Sequence, residues 1–297
     1  MTDITPAEIK SFITYAIELK SRGWISMLKN KTLAILFEKP SLRTRVSFEM
    51  AMRQLGGQAI YLSPAEVGLG KRESVPDIAR VLSRYVDIIT CRTFAHHNLE
   101  EMAEYSRVPV INALSDFEHP CEALADLLTI YEKKAKLKGL TLAYIGDANN
   151  VANSLLLGCA MTGINFNIAS PKGYTIDKTV LKKARNYARV SGAKIFCTED
   201  PREAAKGIDV IYTDTWTSMG HEEEAEVRRK VFAKYQINEK LLALTKKNSI
   251  IMHCLPAHHG EEVAVGILDS ARSVVFDQAE NRMHAQKALL AMMLAKE

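Results

Sequence analysis

Short unbroken apolar runs alternate along this chain with longer stretches in which apolar residues recur at the three-and-four spacing of a helix. The runs predict strands near 32–37, 58–62, 87–91 and 109–112. Between them the helical spacing predicts helices near 43–55, 75–85 and 98–106, followed by a long one over 120–135. Thr5-Pro6-Ala7-Glu8 is a capping box with proline at the first helical position, and it opens a helix to about Ser21. A second series begins at Leu140, with strands expected near 140–145, 164–169, 194–198, 208–213 and 249–252 and helices near 151–162, 177–191 and 222–235. A last helix over 277–296 is long enough to return to the first half of the chain.

Two series of this kind imply an α/β fold made of two doubly wound parallel-sheet domains with a cleft between them. The 297 residues agree with two domains. The expected boundaries are 1–133 and 134–276, with 277–297 packing back on the first domain. The charged stretch from Tyr131 to Lys138 marks the crossing, as the end of a connecting helix.

Composition narrows the function without naming it. Apolar residues make up 47% and charged residues 25%, an ordinary globular balance. The net charge is +4, and the Lys and Arg residues are dispersed among acidic ones, which argues against nucleic acid as a partner. The N-terminus has neither a basic nor an apolar leader region, and no apolar run approaches membrane-spanning length, so a cytoplasmic protein without a membrane partner is expected. The 5 cysteines are scattered and show no C-x-x-C pairing, which points to neither a disulfide framework nor a zinc site.

In open parallel sheets, ligands bind beyond the carboxyl ends of the strands. There the first series places Ser41-Leu42-Arg43-Thr44-Arg45, Arg92-Thr93 and His119-Pro120. Hydroxyls and guanidiniums at a helix start suit an anion, phosphate above all. A serine N-cap followed by solvated arginines would look the same in isolation. The second series ends its strands in Gly146-Asp147-Ala148-Asn149-Asn150, Asp214 to Gly220 and His253-Cys254-Leu255-Pro256. Carboxylate, amide and thiol groups suit a cationic or amine-bearing molecule. Ala148 and Val151 stand where a dinucleotide fingerprint needs glycine, so a hydride-transfer cofactor is not expected. His253 and Cys254 are neighbours on a strand and point to opposite faces, which disfavours a nucleophile dyad. No His/Asp/Glu set has metal spacing.

Taken together these segments, with Glu118-His119-Pro120-Cys121 and Glu280-Asn281-Arg282, resemble the aspartate/ornithine carbamoyltransferase superfamily, and within it the ornithine carbamoyltransferases. The resemblance runs nearly end to end. It implies a first domain that binds carbamoyl phosphate, a second that binds L-ornithine, transfer of the carbamoyl group to the ornithine side-chain amine, and no metal or organic cofactor. It also implies a homo-oligomer built on trimers.

Carried over by residue, the resemblance assigns Ser41, Leu42 (through its backbone), Arg43, Thr44, Arg92 and Arg282 to the phosphate and His119 to the carbamoyl oxygen. Glu122 falls at a further carbamoyl-phosphate position. Asn150, Asp214, Ser218 and Met219 are assigned to ornithine, and Cys254 and Leu255 to the place where the substrates meet. Cys254, Arg92, His119 and Asp214 carry the catalytic roles. Arg45 is left as a structural cation.

Three positions depart from the family pattern, with Glu122 and Gly68 where glutamine is usual and His259 where arginine is usual. They keep open a transcarbamoylase for another amine, such as putrescine or lysine, and a non-catalytic paralogue that binds carbamoyl phosphate or an amino acid.

Overall fold

In the computed structural model, which describes residues 1–217 and 222–295, Pro6 begins α1 (Pro6–Arg22). Its buried residues Ile9, Phe12, Ile13, Ala16 and Leu19 fall on one helical face. The chain divides into two compact units. The first comprises Ala7–Leu128 and the chain from Glu280 onward; the second comprises Met1–Pro6 and Thr129–Ala279.

The first unit runs β1 (Thr32–Phe37), α2 (Leu42–Gln54), β2 (Gln58–Leu62), α3 (Pro64–Val67), α4 (Val75–Leu82), β3 (Ile88–Arg92), α5 (His96–Tyr105), β4 (Val110–Leu114) and the start of α6 (Pro120–Lys134). All pairings in its sheet are parallel, in the order β2-β1-β3-β4. β1 and the start of β3 are apolar and both strands are almost wholly buried, as strands covered on both faces must be. β4 starts after Pro109, which has no N–H to give a ladder, so it lies slightly later than the apolar run predicts. α3 was not anticipated. Four residues are too few for a helical period, and its signal is the Ser63–Glu66 capping box.

The same short helix accounts for Gly68. This glycine caps α3 with φ 52°, and a Cβ there would lie 2.9 Å from the Arg72 Cβ. A left-handed cap with no room for a side chain selects glycine.

The second unit contains β5 (Thr141–Ile145), α7 (Asn150–Thr162), β6 (Asn165–Ala169), α8 (Lys178–Ser191), β7 (Ile195–Thr198), α9 (Pro201–Ala205), β8 (Val210–Thr213), α10 (Ala225–Phe232), α11 (Glu239–Leu242), β9 (Ile250–His253) and the start of α12 (Val275–Leu294). Its parallel sheet has the order β7-β6-β5-β8-β9. α7 is buried from Val151 to Met161, with the polar Asn153 and Ser154 among its mostly apolar residues. α8 buries only Val180, Ala184 and Ala188, spaced four apart. The helix expected over 222–235 is α10 flanked by 3₁₀ turns at Glu222–Glu224 and Ala233–Tyr235, the tightening common at helix ends.

In each sheet the chain leaves a central strand in one direction and later returns to its other side. The strand order therefore reverses between β1 and β3 in the first unit and between β5 and β8 in the second. A doubly wound sheet opens a crevice at such a point. The chain passes from the first unit to the second within α6 and back within α12. Among the described residues no helix is long and apolar enough to cross a membrane.

Candidate active site

The first unit gathers its cations around the reversal between β1 and β3. Ser41 is the N-cap of α2, its hydroxyl oxygen accepting from the Thr44 N–H at 3.4 Å. Ser41 Oγ in turn donates to Thr44 Oγ1 at 3.0 Å. The other N–H groups of the first turn, including that of Leu42, point out of the helix with its positive dipole end. Arg43 lies in that turn, half-buried.

Arg92 ends β3, and its carbonyl accepts from Glu38 N–H just after β1 at 2.8 Å, so the two strand ends are adjacent. The pairing of β3 with β4 shifts register between Cys91 and Arg92, an irregularity that re-aims the side chain. Arg92 is buried.

Arg282, from α12, is also buried and donates from Nη2 to Thr44 Oγ1 at 2.7 Å. Its Nε lies 3.1 Å from Glu122 Oε2, and the same carboxylate oxygen lies 3.3 Å from His119 Nε2. Glu122 is only 1% exposed, in the first turn of α6, where the helix dipole favours a carboxylate. The sequence leaves open whether Glu122 is neutral, turned away or paired with a cation. It is paired with Arg282, one of the residues assigned to the phosphate.

Burial, and then the charges of Arg282 and Arg92, push the His119 imidazole well below its usual range, so it is neutral near pH 7. A neutral imidazole has one N–H, and the Glu122 carboxylate beside Nε2 favours its being on that nitrogen. Burial pushes the neighbouring Cys121 thiol up to about 12, which leaves it inert. Arg45 stands apart from the cluster. Its Nε is 2.9 Å from Glu49 Oε1, and its guanidinium lies 4.0 Å from the centre of the Tyr61 ring, which identifies partners the sequence did not reveal.

In the second unit Asn149, not Asn150, organises the turn after β5. Its Oδ1 accepts from the N–H groups of Val151 at 3.0 Å and Ala152 at 3.2 Å, capping α7. Its Nδ2 donates to Asp214 Oδ2 at 2.7 Å, across the reversal between β5 and β8. Asn150 is the first residue of α7, half-buried beside this cap. The other Asp214 oxygen, Oδ1, accepts from the Thr215 N–H at 2.7 Å and the Cys254 thiol at 2.9 Å. Leu255 has φ 55°, unusual for a residue with a side chain, and its N–H donates to His253 Nδ1 at 2.8 Å. Ser218 and Met219 lie outside the described residues.

Strand alternation predicts that His253 and Cys254 point to opposite faces, and His253 Nε2 lies 3.2 Å from the buried Glu262 Oε1. Asp214, His253 and Cys254 nonetheless bring three potential ligand atoms within 4.8 Å, a grouping invisible along the chain because Asp214 and Cys254 are 40 residues apart. A second grouping joins His258, Glu261 and Glu262. Both His253 nitrogens are engaged by hydrogen bonds, and Glu261 Oε1 is 2.8 Å from Arg229 Nε.

Sequence reasoning missed Asn149, Tyr144, which donates to Asn149 Oδ1 at 3.2 Å, and Arg228, described below. The signal for Asn149 was present, since an asparagine just before a largely apolar helix is a strong N-cap pattern.

One half of the chemistry is thus a cluster of buried cations with a neutral imidazole, and the other a carboxylate holding a thiol. The family model described as aspartate/ornithine carbamoyltransferase, carbamoyl-P binding domain, matches residues 1–132, and the one described as Asp/Orn binding domain matches residues 138–293. The ornithine carbamoyltransferase of Anoxybacillus flavithermus is 52% identical over 298 residues, covering 99% of this chain and 95% of its own. The solved ornithine carbamoyltransferase of Pyrococcus furiosus is 50% identical with TM-score 0.96, covering 99% of this chain and 96% of that one. The anabolic ornithine carbamoyltransferase of Campylobacter jejuni is 43% identical with TM-score 0.94, covering 98% and 96%. By these matches and the residues at its strand ends, the chain belongs to the aspartate/ornithine carbamoyltransferase family.

Proposed function

We propose that the protein is an enzyme that transfers the carbamoyl group of carbamoyl phosphate to the side-chain amine of L-ornithine, giving L-citrulline and phosphate. The observation that carries this reading is the Asp214–Cys254 hydrogen bond of 2.9 Å in a chain otherwise matched end to end by ornithine carbamoyltransferases. A carboxylate and a thiol so placed offer acceptors to an incoming amine and favour the orientation in which its lone pair faces the carbamoyl carbon.

The neutral amine attacks that carbon to form a C–N bond and a tetrahedral oxyanion. The C–O bond to phosphate then breaks, and the departing phosphate takes the amine proton. Ser41, the Leu42 N–H, Arg43, Thr44, Arg92 and Arg282 hold the phosphate. Arg43, Arg92 and His119 meet the developing charge, stabilisation of the oxyanion-hole type. His119 donates its single N–H to the carbamoyl oxygen. Asn150, Asp214, Ser218 and Met219 hold ornithine, with Cys254 and Leu255 beside the reacting atoms. No covalent enzyme intermediate is involved.

A cytoplasmic homotrimer acting in arginine biosynthesis completes the proposal, supported by the family resemblance and by the anabolic relative from Campylobacter jejuni. The test is an assay with carbamoyl phosphate and a panel of amines. Citrulline formation with ornithine at the highest kcat/KM is expected. A preference for putrescine or lysine would replace the acceptor, and the absence of any carbamoylated product would sink the enzymatic reading.

A further inference from the structure

Arg228 has no part in the scheme above, yet it is a nearly buried cation at the centre of the second unit's ligand loops. It projects from α10 and is 5% exposed. Its Nη1 donates to Asp147 Oδ2 at 2.7 Å and to the Trp216 carbonyl at 2.9 Å. Its Nε donates to Glu224 Oε2 at 2.9 Å, and the guanidinium lies 4.9 Å from the centre of the Tyr174 ring. The partners differ in kind. Glu224 is exposed, the N-cap of the same helix four residues away, a pairing worth little. Asp147 and Trp216 belong to the turn after β5 and the segment after β8.

These contacts close a ring. From Arg228 the path runs through Asp147 to Asn149, whose N–H donates to the Asp147 carbonyl at 2.8 Å. Asn149 Nδ2 holds Asp214, and the chain continues from Asp214 to Trp216, whose carbonyl returns to Arg228. The same helix grips Trp216 a second time, because Phe232, one turn beyond Arg228, stacks on the indole at 6.0 Å between centroids. A loop held at one point can swing, whereas two loops joined in a closed ring cannot shift independently.

We propose that Arg228 is a positioning residue for the amine acceptor, fixing Asp214 and the start of the segment that leads to Ser218 by tying that segment to the Asp147–Asn150 turn. The inference rests on the ornithine reading for its kinetic consequence, though not for its structural one. It acts through Asp214 and Trp216 and needs no contact with substrate. A misplacement of about 1 Å in such a site costs on the order of 100-fold in rate.

The test compares Arg228→Gln, Arg228→Lys and Glu224→Gln in the full-length protein, by steady-state kinetics, Tm and backbone amide exchange. Arg228→Gln should raise the KM for L-ornithine by about tenfold or more and lower kcat, with the KM for carbamoyl phosphate changed less than about twofold. Its amide exchange should quicken over residues 146–151 and 213–217 while the remaining β-strand amides stay protected. Arg228→Lys keeps a cation within reach of Asp147 and the Trp216 carbonyl and should recover most of both effects. Glu224→Gln should change neither.

Unchanged exchange in the two loops overturns the proposal. So does a fall in Tm with loss of protection throughout the unit that Arg228→Lys does not reverse, since that marks a merely structural ion pair. If the unaltered protein carbamoylates no ornithine, the acceptor assignment fails, and the exchange comparison still decides whether Arg228 fixes these loops.

Discussion

Replacing Glu122 by glutamine should tighten carbamoyl phosphate binding while weakening the empty protein. The Glu122 carboxylate lies 3.1 Å from Arg282 Nε, an attraction of about 5 kcal/mol at an effective dielectric near 20. A phosphate oxygen bound by the same guanidinium would lie within about 6 Å of that carboxylate and be repelled by about 3 kcal/mol per charge. Protonation of Glu122 on binding offsets part of this, so the expected fall in KM is about tenfold or more, not the full hundredfold. The variant also removes the carboxylate 3.3 Å from His119 Nε2. Against these gains, removing one partner of a buried pair costs roughly 3 to 5 kcal/mol, because Arg282 is left buried without its counter-charge. Steady-state kinetics and thermal melts with and without inorganic phosphate measure both sides. The variant should melt lower than the unaltered protein without ligand and gain more from phosphate. A KM for carbamoyl phosphate that is unchanged or higher would refute the reasoning.

Asp214→Asn should lower kcat by about 100-fold or more, with little change in the KM for carbamoyl phosphate, because the amide cannot accept on both atoms from Thr215, Asn149 and Cys254 as the carboxylate does. The acid side of the stability profile should carry a mark of His119. The folded imidazole is held well below its usual range, so as pH falls below about 6.5 the unfolded chain takes a proton that the folded one refuses, and stability drops by up to about 1.4 kcal/mol per pH unit. Denaturant midpoints at pH 7.5 and 5.5 should therefore converge in His119→Asn relative to the unaltered protein. Gly68→Gln restores the residue usual in the family but forces a side chain onto φ 52°, at a cost of about 1 kcal/mol or more. A Tm drop without a lower KM for carbamoyl phosphate is expected, and an improved KM would mean the loop accommodates the amide.

The strands were legible because a fully buried parallel strand must be an apolar run, and turn residues bound each one. β1 is readable from Leu33 to Leu36 alone. What a single pass along the chain cannot give is strand order, and the order makes the site. Arg92 stands beside the end of β1 that leads to Ser41 only because β1 pairs with β3, and Asn149 reaches Asp214 only because β5 pairs with β8. Long-range charge pairs are hidden in the same way. Glu122 looks like a lone departure until Arg282 arrives from α12, and Arg228 looks like one more solvated charge in a run of glutamates and arginines. Both units apply one topological device, a reversal of strand order with side chains at the carboxyl ends, and the residue types there decide what each can hold. Buried guanidiniums around a histidine that burial first, and their charges second, keep neutral make a place for an anion. An aspartate that accepts from an amide, a backbone N–H and a thiol makes a place where an amine can compete as one more donor. The asymmetry between two similarly built sheets, more than any single motif, makes a carbamoyl donor and an amine acceptor the natural pair of ligands for this chain.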